Sequence, residues 1–303
     1  MINKNFKSGF VGIIGRPNVG KSTFLNKVMS QKLAIVTAKA QTTRNKIQGI
    51  YTTDNEQIIF VDTPGIHKAN HELGKVMNQT AYDSIDGMDV ILYFVDARYP
   101  ISDTDAEVLN SLKKQKVPVI LVLNKVDLVQ DEEKLKENID TFKNCFAFAG
   151  GITISAEYGY SVDKLLEMII ERLEYGPMYY PEDQILDQPE RFVVAEIIRE
   201  KILLKTNEEV PHSVAVVIES FKESRKNAGL IEINAVIVVE RPSQKKIIIG
   251  SGGSKIKDIG KAARLDIAKF LGNKVYLELF VKVIPNWRNQ KSYLKEFGYK
   301  LEK

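Results

Sequence analysis

Cysteine and histidine are scarce in this sequence, which has one cysteine and three histidines among 303 residues. The lone Cys145 cannot form a disulfide within the chain, so the composition fits a reducing compartment. We expect Cys145 to be a small buried apolar residue without a catalytic role. With one cysteine and no HExxH pattern, the sequence predicts no zinc site.

Long apolar runs are absent as well. No run approaches the roughly 20 residues that a membrane span needs. The first ten residues, MINKNFKSGF, have no long apolar core and therefore predict no signal peptide. We expect a cytoplasmic protein that acts as a monomer.

Acidic residues are sparse in the C-terminal part of the chain. Residues 241–303 contain 15 Lys/Arg and 5 Asp/Glu, whereas the rest of the chain contains 28 basic and 34 acidic residues. This asymmetry predicts a polyanion as the partner of the C-terminal part. A basic tail that serves only solubility would give the same charge count.

Apolar β-branched runs alternate with helical patterns over the first 175 residues. The strand-like runs are FVGIIG, QIIFVDT, VILYFVDA, VPVILVLNK and ITISA. Continuous apolar runs of this length are typical of strands that are buried on both faces. Residues 1–175 therefore predict an α/β domain with a mostly parallel sheet, helices on both faces, and a ligand site at the carboxyl ends of the strands.

A proline-rich segment separates this domain from a second one. Residues 176–190 contain three prolines and no periodicity, so we interpret them as a linker. The patterns that follow predict the order α-β-β-α-α-β-α, with a final helix from about Asn286. Residues 191–303 thus predict a small α+β domain.

The segment GRPNVGKST matches the P-loop pattern, and it follows a predicted strand and precedes a predicted helix. In such a loop backbone N–H groups converge on phosphate oxygens, Lys21 reaches the β- and γ-phosphates, and Ser22 offers its hydroxyl to Mg²⁺. The candidate nucleotide-binding residues here are Gly15, Asn18, Val19, Gly20, Lys21, Ser22 and Thr23.

A second motif, VDTPG, ends the QIIFVDT strand. Asp62 is placed to hold Mg²⁺, and the N–H of Gly65 is placed to contact the γ-phosphate, because a residue without Cβ allows close backbone approach. We count both among the nucleotide-binding residues, with Ser22 and Asp62 as candidate Mg²⁺ ligands.

Two further motifs at strand ends select the base. NKVD contributes Asn124, Lys125 and Asp127, and ISAE contributes Ser155 and Ala156. The carboxylate of Asp127 can accept hydrogen bonds from the N1–H and 2-amino group of guanine, which adenine does not offer. The N–H of Ala156 would lie near guanine O6. The nucleotide is therefore predicted to be GTP or GDP.

The intervening segment AIVTAKAQTTRNKIQG has no helical periodicity and predicts a switch. Either Thr43 or Thr42 would bind Mg²⁺ only while the γ-phosphate is present; we take Thr43 as the candidate. Arg44 and the switch segments are expected to carry information to the second domain. Ile66 stands where Ras-like GTPases have a Gln that orients the attacking water, so slow intrinsic turnover is expected.

A second glycine-rich stretch, IIIGSGGSKIKDIG, lacks the G-K-[ST] of a P-loop and the third glycine of a dinucleotide fingerprint. A plain turn between helices is one interpretation. Its position in an α-β-β-α-α-β order resembles a type II KH domain, whose loop clamps about four nucleotides. The candidate RNA-binding residues are Gly250, Ser251, Gly252, Gly253, Lys245, Lys246, Lys255, Lys257, Lys261 and Arg264.

Together the two sets of motifs resemble the bacterial Era family over nearly the entire chain. GRPNVGKST, QTTR, DTPGIH, NKVD and SAE look like its GTPase motifs, and PERFVVAEIIREK and IIGSGGSKI look like its KH domain. The resemblance implies GTP hydrolysis coupled to binding of the 3′ end of 16S rRNA during assembly of the 30S subunit. It also implies a K⁺ held by Asn18 and association with the inner face of the cell membrane.

These expectations lead to two hypotheses. The first is a Mg²⁺-dependent GTPase whose nucleotide state controls RNA binding, with Lys21, Thr43, Gly65 and Asn18 in catalytic roles. The second is a GTP-gated adaptor at the membrane, whose basic C-terminus binds anionic lipid. One departure from a common KH loop is that neither Ser251 nor Gly252 is a lysine, which shifts the phosphate contacts toward Lys255 and Lys257.

Overall fold

The computed structural model describes residues 5–37, 39, 42–113, 115–207 and 210–299. Its strands form two sheets, one of six strands in the order β2-β3-β1-β4-β5-β6 and one of three strands in the order β7-β8-β9. The strands are β1 (Lys7–Gly15), β2 (Ile47–Thr52), β3 (Glu56–Asp62), β4 (Val90–Asp96), β5 (Val119–Asn124), β6 (Gly150–Thr153), β7 (Ala215–Glu223), β8 (Leu230–Val239) and β9 (Lys274–Val283).

The helices alternate with the strands of the large sheet and flank the small one. They are α1 (Lys21–Val28), α2 (Glu72–Asp83), α3 (Asp103–Leu112), α4 (Glu132–Cys145), α5 (Val162–Ile170), α6 (Glu190–Lys205), α7 (Val210–Ser213), α8 (Pro242–Ile249), α9 (Ser254–Leu271) and α10 (Lys291–Glu296).

The large sheet is parallel except for one strand, as the apolar runs predict. β1, β3, β4, β5 and β6 pair in parallel. The sixth strand, β2, pairs antiparallel with β3 at the edge of the sheet and was not among the five predicted runs. Its sequence, IQGIYT, interrupts the apolar pattern with a glutamine and a glycine, because an edge strand does not need apolar residues on both faces.

Alternate residues of the central strands face two separate apolar cores. Leu92 and Phe94 of β4 belong to the core on one face, and Ile91 and Tyr93 belong to the core on the other. All seven residues of β4 are buried. This double burial explains the continuous apolar runs.

The predicted linker lies against the large sheet. Tyr175 forms an isolated bridge with Lys7, and Leu186 forms one with Gly49. The side-chain carbonyl of Gln57 accepts hydrogen bonds from the backbone N–H groups of residues 179 and 180, at 2.8 and 3.0 Å. The segment is therefore attached along its length, and α6 starts at Glu190; the domain boundaries themselves stay a prediction.

The small sheet is covered on both faces. Helices α6 and α9 cover one face over an apolar core that includes Ile198, Ile237 and Ile267. The other face packs against the C-terminal segment, where Trp287 is fully buried, and against Leu73 and Met77 of α2. The two parts of the chain thus share a hydrophobic contact.

Two structural expectations drawn from the sequence are wrong. Cys145 is exposed rather than buried, because it is the last residue of α4, whose buried residues are Asn138 and Phe142. The final α-helix begins at Lys291 rather than near Asn286, since residues 287–289 form a 3₁₀ turn that places Trp287 in the core.

Candidate nucleotide site and nucleic-acid interface

A cavity of about 550 Å³ opens at the carboxyl ends of the strands of the large sheet. The P-loop forms its floor between β1 and α1, where the motif predicts it. The other walls come from the switch segment, from the loop after β4, and from the NKVD loop. The lining residues are Arg16, Pro17, Asn18, Val19, Gly20, Lys21, Ser22, Thr23, Ile35, Val36, Thr37, Thr42, Thr43, Gly65, Asp96, Arg98, Tyr99 and Lys125.

The side chain of Lys21 is folded onto the P-loop. Its Nζ donates to the carbonyl oxygens of Gly15 and Arg16, at 3.1 and 2.9 Å. Burial lowers the pKa of Lys21 to about 8, and the nearby carboxylate of Asp62 opposes that decrease. Phosphate oxygens are stronger acceptors than carbonyls, so this buried cation is suited to a polyphosphate.

Three side-chain oxygens meet beside Lys21. The hydroxyl of Ser22 donates to Oδ2 of Asp62 at 2.6 Å and lies 2.8 Å from the hydroxyl of Thr43. Oδ1 of Asp62 is buried and has no hydrogen-bond partner among the described residues. Burial raises the pKa of Asp62 to about 6, although Lys21 and the hydrogen bonds lower it. An oxygen-only group with an unsatisfied carboxylate oxygen fits Mg²⁺.

The two candidate threonines point to different partners. The hydroxyl of Thr42 donates to the carbonyl of Lys39 at 2.6 Å and lies 2.8 Å from the hydroxyl of Thr37. The hydroxyl of Thr43 lies next to Ser22 instead. The geometry therefore brings Thr43, and not Thr42, to the candidate Mg²⁺ ligands. Residues 38, 40 and 41 of the predicted switch are outside the described part of the chain.

Gly65 lies so close to the P-loop that a side chain would not fit. A Cβ at this position would lie 2.5 Å from the backbone nitrogen of Pro17. The next residue, Ile66, donates its N–H to the carbonyl of Gly15 at 3.2 Å, and its side chain is buried in the apolar core. Ile66 is directed away from the phosphate site, so it has no means of orienting water.

The base-selecting motifs are attached to the P-loop by hydrogen bonds. The amide of Asn124 donates to the carbonyl of Val19 at 2.8 Å and accepts from the N–H of Ala156 at 2.9 Å. Nζ of Lys125 donates to the carbonyl of Asn18 at 2.5 Å. Asp127 is exposed and Ser155 is buried, and neither lines the cavity. The structure thus groups most of the predicted residues and leaves the carboxylate of Asp127 open to solvent.

Sequence reasoning did not identify the loop after β4 as part of the site. The guanidinium of Arg98 makes two hydrogen bonds to Asp96, at 2.9 and 2.7 Å, and lies 5.1 Å from the ring centre of Tyr99. Asp96 also pairs with Lys125 at 3.0 Å. The segment VDARYP immediately follows a buried parallel strand, and this position was the available signal.

The second glycine-rich loop connects α8 to α9, as predicted. Gly250, Gly252 and Gly253 have φ angles of 72, 57 and 79°. Within the described ranges, no atom apart from the adjoining residues lies within 4 Å of a Cβ built on Gly252 or Gly253. The loop therefore exposes its backbone to open space, which is what close contact with a nucleic-acid backbone needs.

The predicted cations are split between two sides of α9. Lys257, Lys261 and Arg264 are exposed and lie on one stripe of the helix, since their spacing is four and three residues. Lys255 lies on the other side. On α8, Lys246 is exposed and Lys245 is half-buried. The stripe and the glycine loop form the candidate nucleic-acid surface.

Helix α9 packs closely on β9. A Cβ on Gly260 would lie 3.4 Å from the side chain of Leu279, so helix and strand approach closely there. Ile247 on α8 and Leu265 on α9 are exposed apolar side chains. Exposed apolar side chains near a row of cations suit unstacked bases with a neighbouring phosphate backbone.

The switch segment contacts the second domain directly. The buried guanidinium of Arg44 donates to the carbonyl oxygens of Val214, Pro211 and His212, at 2.6, 3.1 and 3.2 Å. Ile35 packs into the apolar core of the small sheet. The two candidate sites are therefore physically connected through residues 35–44.

A P-loop with its oxygen cluster, followed by a glycine-loop domain, defines a P-loop GTPase joined to a KH domain. A family model described as "50S ribosome-binding GTPase" matches residues 10–125, and a KH-domain model matches residues 209–288.

Two solved structures extend this comparison to nearly the whole chain. Era in complex with MgGDPNP and nucleotides 1506–1542 of 16S ribosomal RNA is 41% identical, with a TM-score of 0.94. A variant of Aquifex aeolicus Era bound to GDP.AlF4- is 40% identical, with a TM-score of 0.94. Each comparison covers 98% of this chain and 100% of the other. The chain belongs to the Era family.

In the part of the chain that the structure describes, no helix is both long and apolar enough to cross a membrane.

Proposed function

We propose that this protein is a GTP-hydrolysing switch whose nucleotide state controls binding of its KH domain to the 3′ region of 16S rRNA. The observation that carries the proposal is the position of residues 42–44. The hydroxyl of Thr43 lies beside the P-loop Ser22, while Thr42 and Arg44 on either side are hydrogen-bonded to the second domain. A relative that is 41% identical has been solved with MgGDPNP and this RNA.

Catalysis at this site consists of positioning and charge stabilisation. Lys21 holds the β- and γ-phosphates, and the N–H of Gly65 contacts the γ-phosphate. Ser22, Thr43 and Asp62 hold Mg²⁺, which neutralises charge on the phosphates when bound. Because a buried Ile66 has no means of orienting water, the remaining charge stabilisation is assigned to a K⁺ held by Asn18, which lines the cavity.

Guanine selection is assigned to the NKVD and ISAE loops. Asn124 links both loops to the P-loop, and Lys125 adds a second hydrogen bond from the NKVD loop to the P-loop. Asp127 accepts hydrogen bonds from the guanine edge, and the N–H of Ala156 exchanges its bond with Asn124 for one with O6. Adenine would leave the carboxylate without these partners.

RNA binding is assigned to the glycine loop and the basic stripe. Gly250, Ser251, Gly252 and Gly253 contact the RNA backbone, and the exposed side chains of Ile247 and Leu265 contact the bases. The cations that pair with RNA phosphates are Lys245, Lys246, Lys255, Lys257, Lys261 and Arg264. Because the three stripe residues share one face, we expect them to contribute more than Lys255, which lies on the other side of the helix.

The biological setting is assembly of the 30S subunit in the cytoplasm, with the protein acting as a monomer. The alternative of an adaptor at the membrane is not favoured, because the relative that covers the whole chain is solved with rRNA and nucleotide. The experiment that tests the proposal is crosslinking of RNA in cells, in the wild type and in an Asp127→Asn variant. Crosslinks to the 3′ end of 16S rRNA that depend on an intact guanine site support it. Crosslinks that are equal in both chains contradict the switch.

A further inference from the structure

A second cavity, of about 470 Å³, lies between the GTPase and KH domains, away from both sites described above. One wall consists of the end of the loop after Gly65 and the start of α2. The other wall consists of α7, the start of α8 and the 3₁₀ turn before α10. The lining residues are Lys68, Asn70, His71, Leu73, Gly74, His212, Glu240, Arg241, Gln244 and Arg288.

This lining carries an excess of positive charge. Lys68, Arg241 and Arg288 are permanent cations, and Glu240 is the one carboxylate among the lining residues. Glu240 is paired with Arg288 at 2.6 Å, so its charge is already balanced. Lys68 comes from the GTPase domain, whereas the two arginines come from the KH domain. The folded chain thus brings together cations that repel each other across the cavity.

One buried donor of Arg288 has no acceptor in the part of the chain that the structure describes. Its Nη2 donates to Glu240, and its Nη1 donates to the carbonyl of His212 at 3.4 Å. Its Nε is buried and has no hydrogen-bond partner among the described residues. A buried N–H of a charged group without an acceptor is costly, and the positive charge of the guanidinium stays beside the cavity.

Two imidazoles face the same space. Burial lowers the pKa of His212, and the neighbouring cations Arg44, Arg288 and Lys39, together with His67, lower it further. His71 lines the opposite wall. An anion in the cavity would oppose the effect of the cations on His212 and favour its protonated form.

Helix α2 also directs its N-terminus at the cavity. Its N-cap residue, His71, makes no side-chain capping bond. The N–H of Glu72 is bonded to Asn289, but the next two residues of the first turn, Leu73 and Gly74, line the cavity. The partial positive charge of a twelve-residue helix adds to that of the side chains.

We propose that this interdomain cavity binds a phosphate group, held by Lys68, Arg241 and Arg288 with His71 and His212 as additional donors. Guanidinium groups and a helix N-terminus are matched to the several acceptor oxygens of phosphate. The phosphate comes either from an RNA backbone or from a free phosphate ion. The site is distinct from the P-loop, so the proposal does not depend on the hydrolysis mechanism.

Phosphate at this position would bind the two domains to each other. Its ligands Lys68 and His71 belong to the segment that follows Gly65, and its ligand Arg241 precedes α8, the helix that ends at the glycine loop. Neutralising the cations on both walls favours the arrangement in which α2 packs on the KH domain.

The site can be tested by NMR on the full chain with Mg·GDP bound, so that the P-loop is already occupied. Inorganic phosphate is titrated while the imidazole C–H signals are followed, with each signal assigned from single His→Gln variants. We expect phosphate to shift the signals of His71 and His212 and to raise the pKa of His212. The Lys68→Gln/Arg241→Gln double variant should weaken this response about tenfold.

A matched control removes the same charge elsewhere. Lys274→Gln/Lys295→Gln changes two exposed lysines outside the cavity, and it should leave the response as in the wild type. No shift at His71 and His212, a shift confined to His67, or equal weakening in both double variants would each overturn the proposal.

A competition experiment with RNA identifies where the bound phosphate group comes from. If RNA corresponding to nucleotides 1506–1542 abolishes the response to phosphate, the RNA backbone supplies the group. If RNA and phosphate act independently, the ligand is free phosphate. Both outcomes support the site, and neither uses GTP hydrolysis as a readout.

Discussion

Arg199 in α6, a helix that packs on the small sheet, donates a hydrogen bond to the carbonyl of Thr42, the residue before the candidate Mg²⁺ ligand Thr43. The guanidinium is fully buried and is paired with Glu196 at 2.5 Å. The peptide between Thr42 and Thr43 is therefore held by α6 on one side and by the P-loop Ser22 on the other. This contact gives a direct route by which the γ-phosphate can affect the RNA-binding domain.

Arg199→Met should lower the free energy of unfolding by about 3–5 kcal/mol, because Glu196 stays buried without its partner. The Arg199→Met/Glu196→Met double variant should recover much of this loss, since neither residue of the pair is left as an unpaired buried charge. Urea unfolding of the full chain measures both. Arg225→Met, an exposed arginine in the β7–β8 turn, serves as the control and should have little effect. An Arg199→Met variant as stable as the wild type would show that the Arg199–Glu196 pair does not contribute to stability as expected.

The Arg199→Met and Arg199→Met/Glu196→Met variants also distinguish an effect on stability from an effect on communication between the RNA-binding and nucleotide sites. Both should bind GTP but lose stimulation of hydrolysis by RNA, because the Thr42 carbonyl has lost its donor. Single-turnover GTP hydrolysis with and without RNA measures this. If the double variant keeps full stimulation, the Arg199 contact is structural only.

Nucleotide affinity should have a plateau between about pH 6 and pH 8. Below pH 6 Asp62 is protonated in the free protein, so binding of Mg·GDP must release a proton, and affinity should fall up to tenfold per pH unit. Above pH 8 Lys21 is neutral in the free protein, so binding must take up a proton and affinity falls again. Fluorescent GDP titrations between pH 5 and 9 measure both limbs.

Two further measurements assign the fall in affinity below pH 6 (the lower limb) to Asp62 and the fall above pH 8 (the upper limb) to Lys21. Lys21→Arg should remove the upper limb, because arginine stays charged, and omission of Mg²⁺ should remove the Asp62 contribution to the lower limb. A lower limb that is unchanged without Mg²⁺ would indicate titration of the nucleotide itself and would refute the role of Asp62.

Asp127→Asn should weaken GTP binding by roughly 10⁴-fold and favour xanthine nucleotides, because the amide donates where guanine also donates. Competition between GTP and xanthosine triphosphate measures the change. Glu133→Gln, an exposed residue of α4, makes the same chemical change away from the site and should have no effect. Intact GTP affinity in Asp127→Asn would show that base recognition lies elsewhere.

Gly252→Asp/Gly253→Asp should reduce RNA affinity at least about tenfold by placing two carboxylates where the backbone of RNA approaches. Gly87→Asp/Gly229→Asp is the matched control, since both glycines have positive φ and open surroundings outside the loop. Filter binding at one fixed salt concentration compares them. Equal losses in the two double variants would attribute the effect to backbone strain.

GTP hydrolysis should be faster in K⁺ than in Na⁺, and Asn18→Ala should remove the difference, because the amide oxygen is the assigned K⁺ ligand. GDP affinity should change little, which distinguishes loss of the cation from damage to the P-loop. Equal rates in the two salts for the wild type would rule out this role.

Most of the nucleotide site could be predicted from the sequence because its groups are local. The P-loop, VDTPG and NKVD each place their residues on one turn at a strand end, so short spacing carries the chemistry. The same holds for the glycine loop between α8 and α9. The edge strand β2 was not predicted because the glutamine and glycine in IQGIYT interrupt the continuous apolar run by which the other strands were recognised.

Contacts between distant segments were decided by tertiary packing. Arg44 could be named as a candidate communicator, but its partner Val214 is 170 residues away and is a backbone carbonyl, which carries no sequence signal. Likewise Lys68 and Arg288 look like ordinary surface cations until α2 packs on the KH domain and places them around one cavity. Local spacing therefore determined which ligands each domain takes, and packing between the domains determined how the two sites are connected.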